Sequence, residues 1–263
     1  MSNDLIYIYC ISNSPLGNLG NMMSKNLKTL FFDNFFVIVK YVSENEFSEE
    51  KLKQNISDVK WLESNARDHI NVINMVMEFS DVIPFKFGTI FQTNENLRKF
   101  IFDYSDSLKE NFQHIKNKEE WAVKIYCDRK VLCEQIDELS GQAAELEKQI
   151  MASSPGKAYL LKRKKADLIE NEIDLICKKY GQVYFDEFKN MSEYTFFNNL
   201  LPKEYTGRQD TMILNSTFLV NKSKVADFKN VYDKLKQQAV DYGFNIEVTG
   251  PWPPFSFISI KEK

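Results

Sequence analysis

The sequence has little of what usually announces a chemistry. Histidine occurs only at His69 and His114, and cysteine only at Cys10, Cys127, Cys133 and Cys177, with no Cys-x-x-Cys. A tetrahedral zinc site would have to be gathered from scattered residues, so no metal is expected. The thiols read as reduced, in a reducing cytosol, at least two of them in the core. Glycine (9) and proline (7) are sparse, which excludes collagen-like and Gly/Pro-rich low-complexity classes. No apolar run approaches the roughly 20 residues of a membrane span. The densest run, Phe35 to Val39, reads as a strand. Met1 to Tyr7 has neither a basic n-region nor a long apolar h-region, so no secretion signal is read there and a cytoplasmic location is expected. Positive charge is not in excess either: 34 Lys plus Arg stand against 37 Asp plus Glu. Binding of nucleic acid through a basic surface is therefore not expected.

Searches for catalytic motifs end the same way. Ser153-Ser154-Pro155-Gly156-Lys157 has Met151 and Ala158 where a phosphate loop needs glycine and a hydroxyl. There is no Gly-x-Gly-x-x-Gly, Gly-x-Ser-x-Gly, His-Glu-x-x-His or EF-hand loop. Ser-x-x-Lys at Ser57/Lys60 and Ser154/Lys157 lacks its companion motifs. The basic run Lys162-Arg163-Lys164-Lys165 reads as a solvated helix face, or as a surface for an acidic partner. No segment matches the aromatic RNP1 pattern. Nothing here supports an enzyme or a cofactor.

What is present is aromatic and architectural. The 263 residues include 21 Phe and 12 Tyr, and at about 150 residues per domain they suggest two domains. Residues 5–11 read as a strand and 12–28 as a loop. Two apolar runs in 29–42 are split by the turn signal Asp33-Asn34. A helix capped by Ser57 is expected to reach Phe79, with Leu62, Ala66, His69, Ile73 and Val76 on one face. His69 on that face reads as a satisfied core histidine, with a ligand role as the alternative. Residues 81–91 read as a strand that Pro84 confines to an edge or a bulge. Thr93 or Asn94 then caps a helix to about Ile115. Residues 1–118 thus form a small sheet with helices on one face, class α+β.

The second domain, 119–263, opens with a strand over 121–127. Leu132, Ile136, Leu139, Ala143, Leu146 and Ile150 then repeat at 4-3-4-3-4, and Ile169, Ile173, Ile176, Tyr180 and Val183 at 4-3-4-3. Ser154-Pro155-Gly156 between them predicts an antiparallel helical hairpin over 130–185. A strand over 211–220, a helix capped by Ser223 and strands over 244–249 and 255–260 complete an order that resembles a ferredoxin-like split βαβ with an enlarged crossover. The prolines of Gly250-Pro251-Trp252-Pro253-Pro254 predict a stiff connection outside any ladder. Trp252 on it is either a plug covering the domain's own sheet edge or core, or an anchor for a partner.

Several segments together resemble the gas vesicle protein GvpF/GvpL family. They are Asp81-Val-Ile-Pro84-Phe85-Lys86-Phe87-Gly88-Thr-Ile-Phe91, preceded by Ala66-Arg67-Asp68-His69; Glu120-Trp121-Ala-Val-Lys124; Ser154-Pro-Gly156-Lys-Ala-Tyr159-Leu160; and Thr249-Gly250-Pro251-Trp252-Pro253-Pro254-Phe255-Ser-Phe257. The last string is the most specific. Lys86 replaces an expected arginine, which weakens any need for a guanidinium fork there, and Tyr9-Cys10 replaces Tyr-Gly. The resemblance implies two α+β domains, the first a modified ferredoxin-like fold. It also implies a non-enzymatic accessory or minor structural protein that engages the small hydrophobic shell protein GvpA and other vesicle proteins, at the gas vesicle in the cytoplasm. No catalytic residue is implied. The motif residues from Arg67 to Phe255 become candidate partner-binding or family-motif positions. The competing reading is a ligand-sensing or enzymatic ferredoxin-like protein with an interdomain pocket near His69.

Overall fold

A computed structural model describes residues 4–15, 26–135 and 141–261. The chain is mixed α+β with two sheets, and it divides into two compact units, one of residues up to Glu120 plus those from Pro251, the other Trp121–Gly250. The expected second domain therefore loses its C-terminal stretch to the first unit. The reason is local: Ile258 and Ile260 pack on the first unit's core.

In the first unit, β1 (Asp4–Ser12) lies between β3 (Phe35–Ser43) and β4 (Val82–Pro84), with β2 (Leu27–Phe32) beyond β3 and β5 (Ile90–Phe91) also paired to β1. Asp33 and Asn34 both take positive φ, 45° and 68°, and close the β2–β3 hairpin as a two-residue loop. Pro84 sits on an edge strand, where a missing amide donor breaks no second ladder.

Helices cover both faces of this sheet, not one. Residues 5–12 are buried throughout, so β1 needs cover on each side. Leu5, Tyr7 and Tyr9 pack with Val72, Ile73 and Val76 of α3 (Val59–Met77). Ile6, Ile8 and Ile11 pack with α4 (Asn94–Asp103) and α5 (Ser105–Ile115) through Leu97, Ile101, Leu108 and Phe112. A register shift between Ile8 and Cys10 then turns Cys10 to the α3 side. Asp58, not Ser57, caps α3, accepting from the amides of Lys60 and Trp61 at 2.9 and 3.3 Å. Two short helices, α1 (Glu44–Phe47) and α2 (Glu49–Asn55), precede it. The expected single helix to Ile115 is broken at Tyr104.

In the second unit the strand order is β7 (Tyr194–Phe197), β8 (Thr211–Asn221), β6 (Lys118–Cys127), β9 (Phe244–Trp252). Alternate residues of β6, Trp121, Val123, Ile125 and Cys127, face one core. Phe185 and Phe188 of α8 (Pro155–Lys189) and Phe228 and Leu235 of α10 (Val225–Val240) fill it. Phe188 and Phe228 meet at 5.0 Å between ring centroids. On the other face Arg208 covers the Tyr126 ring at 4.1 Å and pairs with Asp210 and Glu247.

The helical hairpin is formed by α7 (Gly141–Met151) packed on α8. Ala143 and Ile150 are its buried seam, and Lys165 bridges to Glu147 at 2.9 Å. Ile136 and Leu139 lie outside the described residues. The expected helix from 130 starts as a separate short piece, α6 (Arg129–Glu134), ending at Gln135.

Three expectations fail near the C-terminal half. Asn221 rather than Ser223 supplies the cap before α10, through a 3₁₀ turn. β9 continues through Gly250 and Pro251 to Trp252, because it is an edge strand and proline is tolerated there. Residues Phe255–Phe257 form a 3₁₀ turn instead of a strand. β7 and the short α9 (Lys203–Thr206) are elements the sequence reading did not include.

Candidate functional site

The motif residues gather in the first unit around His69. Its Nε2 donates to the carbonyl of Phe85 at 2.8 Å, since a carbonyl can only accept. Nδ1 therefore accepts from the Tyr7 hydroxyl, also at 2.8 Å. That hydroxyl in turn accepts from the Gly88 amide at 3.3 Å. A closed chain of bonds thus runs from the Gly88 amide through Tyr7 and His69 to Phe85. Rings enclose it: Tyr9 stacks on the imidazole at 5.4 Å, and Phe87 meets it edge-on at 5.8 Å. Burial lowers the His69 pKa, against the bond to Phe85, so the neutral ring is the native form. Burial likewise raises the Tyr7 hydroxyl and pushes Tyr9 up to about 12.

The segment from Pro84 to Gly88 is thereby sewn to β1. The Phe85 amide donates to the Tyr9 carbonyl at 2.9 Å, and the Lys86 carbonyl accepts from Thr89 Oγ1 at 2.7 Å. Gly88 has φ +80°, which favours glycine, and a Cβ there would press on Leu52 Cδ2 at 3.1 Å. Lys86 points its side chain outward from this turn and is exposed. Arg67, on the outer face of α3, pairs with Glu63 at 2.6 Å. Both ring nitrogens of His69 are committed to protein groups, which leaves neither for a ligand.

A second motif cluster fastens the C-terminal stretch to the same unit. Glu120 is buried and accepts from the Ser256 amide at 2.9 Å and from the Ser256 hydroxyl at 2.8 Å. Burial raises its pKa to about 7, with the Ser256 bonds opposing. Asn111 brackets Ser259, accepting from its amide at 3.0 Å and donating to its carbonyl at 2.9 Å. Pro253 and Pro254 are buried, whereas Pro251 is exposed. Phe255 turns outward while its amide donates to the Pro253 carbonyl at 2.7 Å. Trp252 is 41% exposed, so it is not a fully buried plug, and Gly250 takes a positive φ of 144°, which favours glycine.

The remaining motif residues lie in the second unit. Trp121 is buried in the core beneath the Lys229 ammonium, 4.9 Å from its ring. Gly156 stands at the open hairpin turn with no atom near a prospective Cβ. Tyr159 and Leu160 beside it are exposed. Sequence reasoning missed Tyr7, Tyr9, Glu120, Asn111 and Ser256 as members of these clusters. Glu120 and Ser256 stood inside quoted motifs and Tyr9 in the Tyr9-Cys10 pair, whereas Tyr7 and Asn111 carried no signal.

A run of exposed apolar residues was not foreseen either. Tyr194, Phe196, Phe197, Leu200, Leu201 and Tyr205 are all exposed, Tyr205 by 81%, on the edge strand β7, the loop after it and the short α9. Phe197 stacks on Phe185 at 4.4 Å and borders a groove of about 270 Å³ with Gly181, Gln182 and Ile213. Among the described residues no group of His, Cys, Asp and Glu could hold a metal, and no helix is long and apolar enough to cross a membrane.

Comparison with known proteins agrees with the motif geometry. Residues 5–259 match the family described as gas vesicle synthesis protein GvpL/GvpF. The chain is 24% identical to gas vesicle protein L of Streptomyces sp. (strain CB03234), over 100% of this chain and 96% of that protein. It is 21% identical to gas vesicle protein F of Nostoc sp. (strain PCC 7120), over 97% and 98%. The crystal structure of GvpF from Anabaena sp. PCC7120 superposes with a TM-score of 0.73 at 18% identity, covering 98% of this chain and 100% of that one. With the motif segments in order along the whole chain and the fold shared, the protein belongs to the GvpL/GvpF family of gas vesicle proteins.

Proposed function

We propose that this gas vesicle protein is a non-enzymatic accessory or minor structural protein that binds the hydrophobic shell protein GvpA and other vesicle accessory proteins to support assembly, in the cytoplasm and at the vesicle. The observation that carries the reading is the run of exposed apolar residues from Tyr194 to Tyr205, which starts on the edge strand β7 and continues through the loop into α9. A wall protein that will face gas exposes apolar surface before it assembles, and such surface aggregates unless covered. An edge strand bearing exposed aromatic rings offers both ladder bonds and apolar area to it. Trp252, Phe255, Tyr159 and Lys86, exposed on their motif turns, are further contact candidates. Arg67, His69, Pro84, Phe85, Phe87, Gly88, Trp121, Gly156, Gly250, Pro251, Pro253 and Pro254 serve by holding those turns in place.

The test is to follow turbidity of purified shell protein with and without this chain, together with co-purification from cells. Suppressed aggregation and a retained complex are expected. Unchanged turbidity with no association with vesicles or vesicle proteins overturns the reading.

A further inference from the structure

We propose that the outer face of α8 pairs with the same face of a second copy of this chain, the two helices lying antiparallel. Charge is segregated along the hairpin. Residues 148–166 hold six Lys and Arg and no Asp or Glu, whereas residues 167–177 hold four Asp and Glu and no Lys or Arg. The run Lys162-Arg163-Lys164-Lys165 belongs to the first block. Lys165 is spent within the hairpin, on Glu147 at 2.9 Å. Lys157, Arg163 and Lys164 are exposed, and so are Asp167, Glu170 and Asp174.

Those six share one stripe. At 3.6 residues per turn they fall within about 140° of the helix circumference, over a length of about 27 Å. Ile169, Ile173 and Ile176 hold the opposite side against the core. The three cations occupy the half of the stripe nearer the hairpin turn and the three carboxylates the other half. Tyr159 and Leu160 stand at the basic end and Leu175 at the acidic end, all at least 60% exposed. Two such stripes laid parallel in register would set like charge over like. Laid antiparallel, each basic block meets the acidic block of the other copy, and each Tyr159-Leu160 end comes to a Leu175 end. The face is therefore complementary to itself, which is the condition for a twofold dimer.

The charges are available for this. Among the described residues Lys157, Arg163, Lys164 and Asp167 make no ion pair. Glu170 and Asp174 share a single guanidinium, that of Arg129, at 2.7 Å each, so the acidic block keeps a net negative charge. An exposed ion pair is weak alone, but the twofold axis makes every pair occur twice, and covering the apolar ends removes further surface from water. A short helix pair is smaller than a standard interface, so the dimer is reversible and salt-sensitive. The stripe shares no residue with the Tyr194–Tyr205 run, so this pairing stands whether or not that run binds the shell protein.

The experiment is analytical ultracentrifugation of the full chain over a range of concentrations, at about 0.05 M and about 0.5 M salt. At the lower salt the mass should rise with concentration toward that of a dimer, and at the higher salt it should return toward the monomer. Arg163→Glu combined with Lys164→Glu should weaken self-association at least about tenfold. Asp167→Lys combined with Asn171→Lys, which leaves the Arg129 pairs in place, should do the same. An equimolar mixture of the two variants should recover the dimer, because each basic block again faces an acidic one. The salt dependence of the wild-type chain decides the matter even where a variant fails to fold. A wild-type chain that stays monomeric at the lower salt, a dimer that salt does not weaken, or folded variants that dimerise at full strength or stay monomeric when mixed would overturn the proposal.

Discussion

The His69 cluster and the Tyr194–Tyr205 strip are both aromatic, and they use their rings in opposite ways. Around His69 the rings of Tyr7, Tyr9 and Phe87 face inward and the polar groups among them are bonded to one another. Along the strip Phe196 and Tyr205 face outward, while Phe197 leans on the core ring of Phe185. The difference teaches that family-motif residues need not be contact residues. His69, Phe85 and Gly88 shape a turn from within, and the exposed apolar residues from Tyr194 to Tyr205 lie outside the motif strings.

The sharpest way to break this contrast is to empty the buried side. Phe85→Ala should cost about 3–5 kcal/mol, because a buried ring leaves a cavity between β4 and Phe100. Urea unfolding would show it as a lower midpoint. A loss under about 1 kcal/mol would mean the turn is not held from within. Tyr7→Phe is subtler. It keeps the ring but strands the His69 Nδ1 and the Gly88 amide, which should cost about 1–3 kcal/mol.

Titration sharpens the same point inside the first unit. His69 is lowered when folded, so the unfolded chain binds its proton first. Stability should fall as pH drops below about 6.5, and His69→Gln should flatten that limb. Glu120 works in the other direction. Its folded pKa is raised from 4.5 to about 7, so its contribution is full below 4.5 and is lost as pH climbs toward 7. Glu120→Gln, a mimic of the protonated acid facing Ser256, should remove that loss, seen as a widening stability advantage over wild type between those pH values. The smallest effect belongs to the exposed turn: Lys86→Arg should shift stability by no more than about 0.5 kcal/mol in either direction.

Local chemistry was legible in the sequence. The Asp33-Asn34 turn, the Thr93 cap and the Ser154-Pro155-Gly156 hairpin turn all follow from backbone preferences of the residues themselves. Long-range partners were not. Tyr7 and His69 are 62 residues apart, and Glu120 and Ser256 136 apart, and no spacing rule connects such pairs. Gly250-Pro251-Trp252 misled because proline excludes a central strand but not an edge, and edge position is decided only when the sheet assembles. β7 went unread because four aromatic-rich residues make a strand only through pairing with β8. The exposed strip then appears as a site only once that edge is known.

The central claim is that outward rings bind and inward rings build. The direct measurement is the affinity of the shell protein for a Phe196→Ser, Tyr205→Ser double variant, paired with its urea midpoint. These side chains are largely exposed, so the midpoint should stay within about 1 kcal/mol of wild type while binding falls at least about tenfold, the equivalent of 1.4 kcal/mol. Full-strength binding by a variant that folds normally would contradict the account.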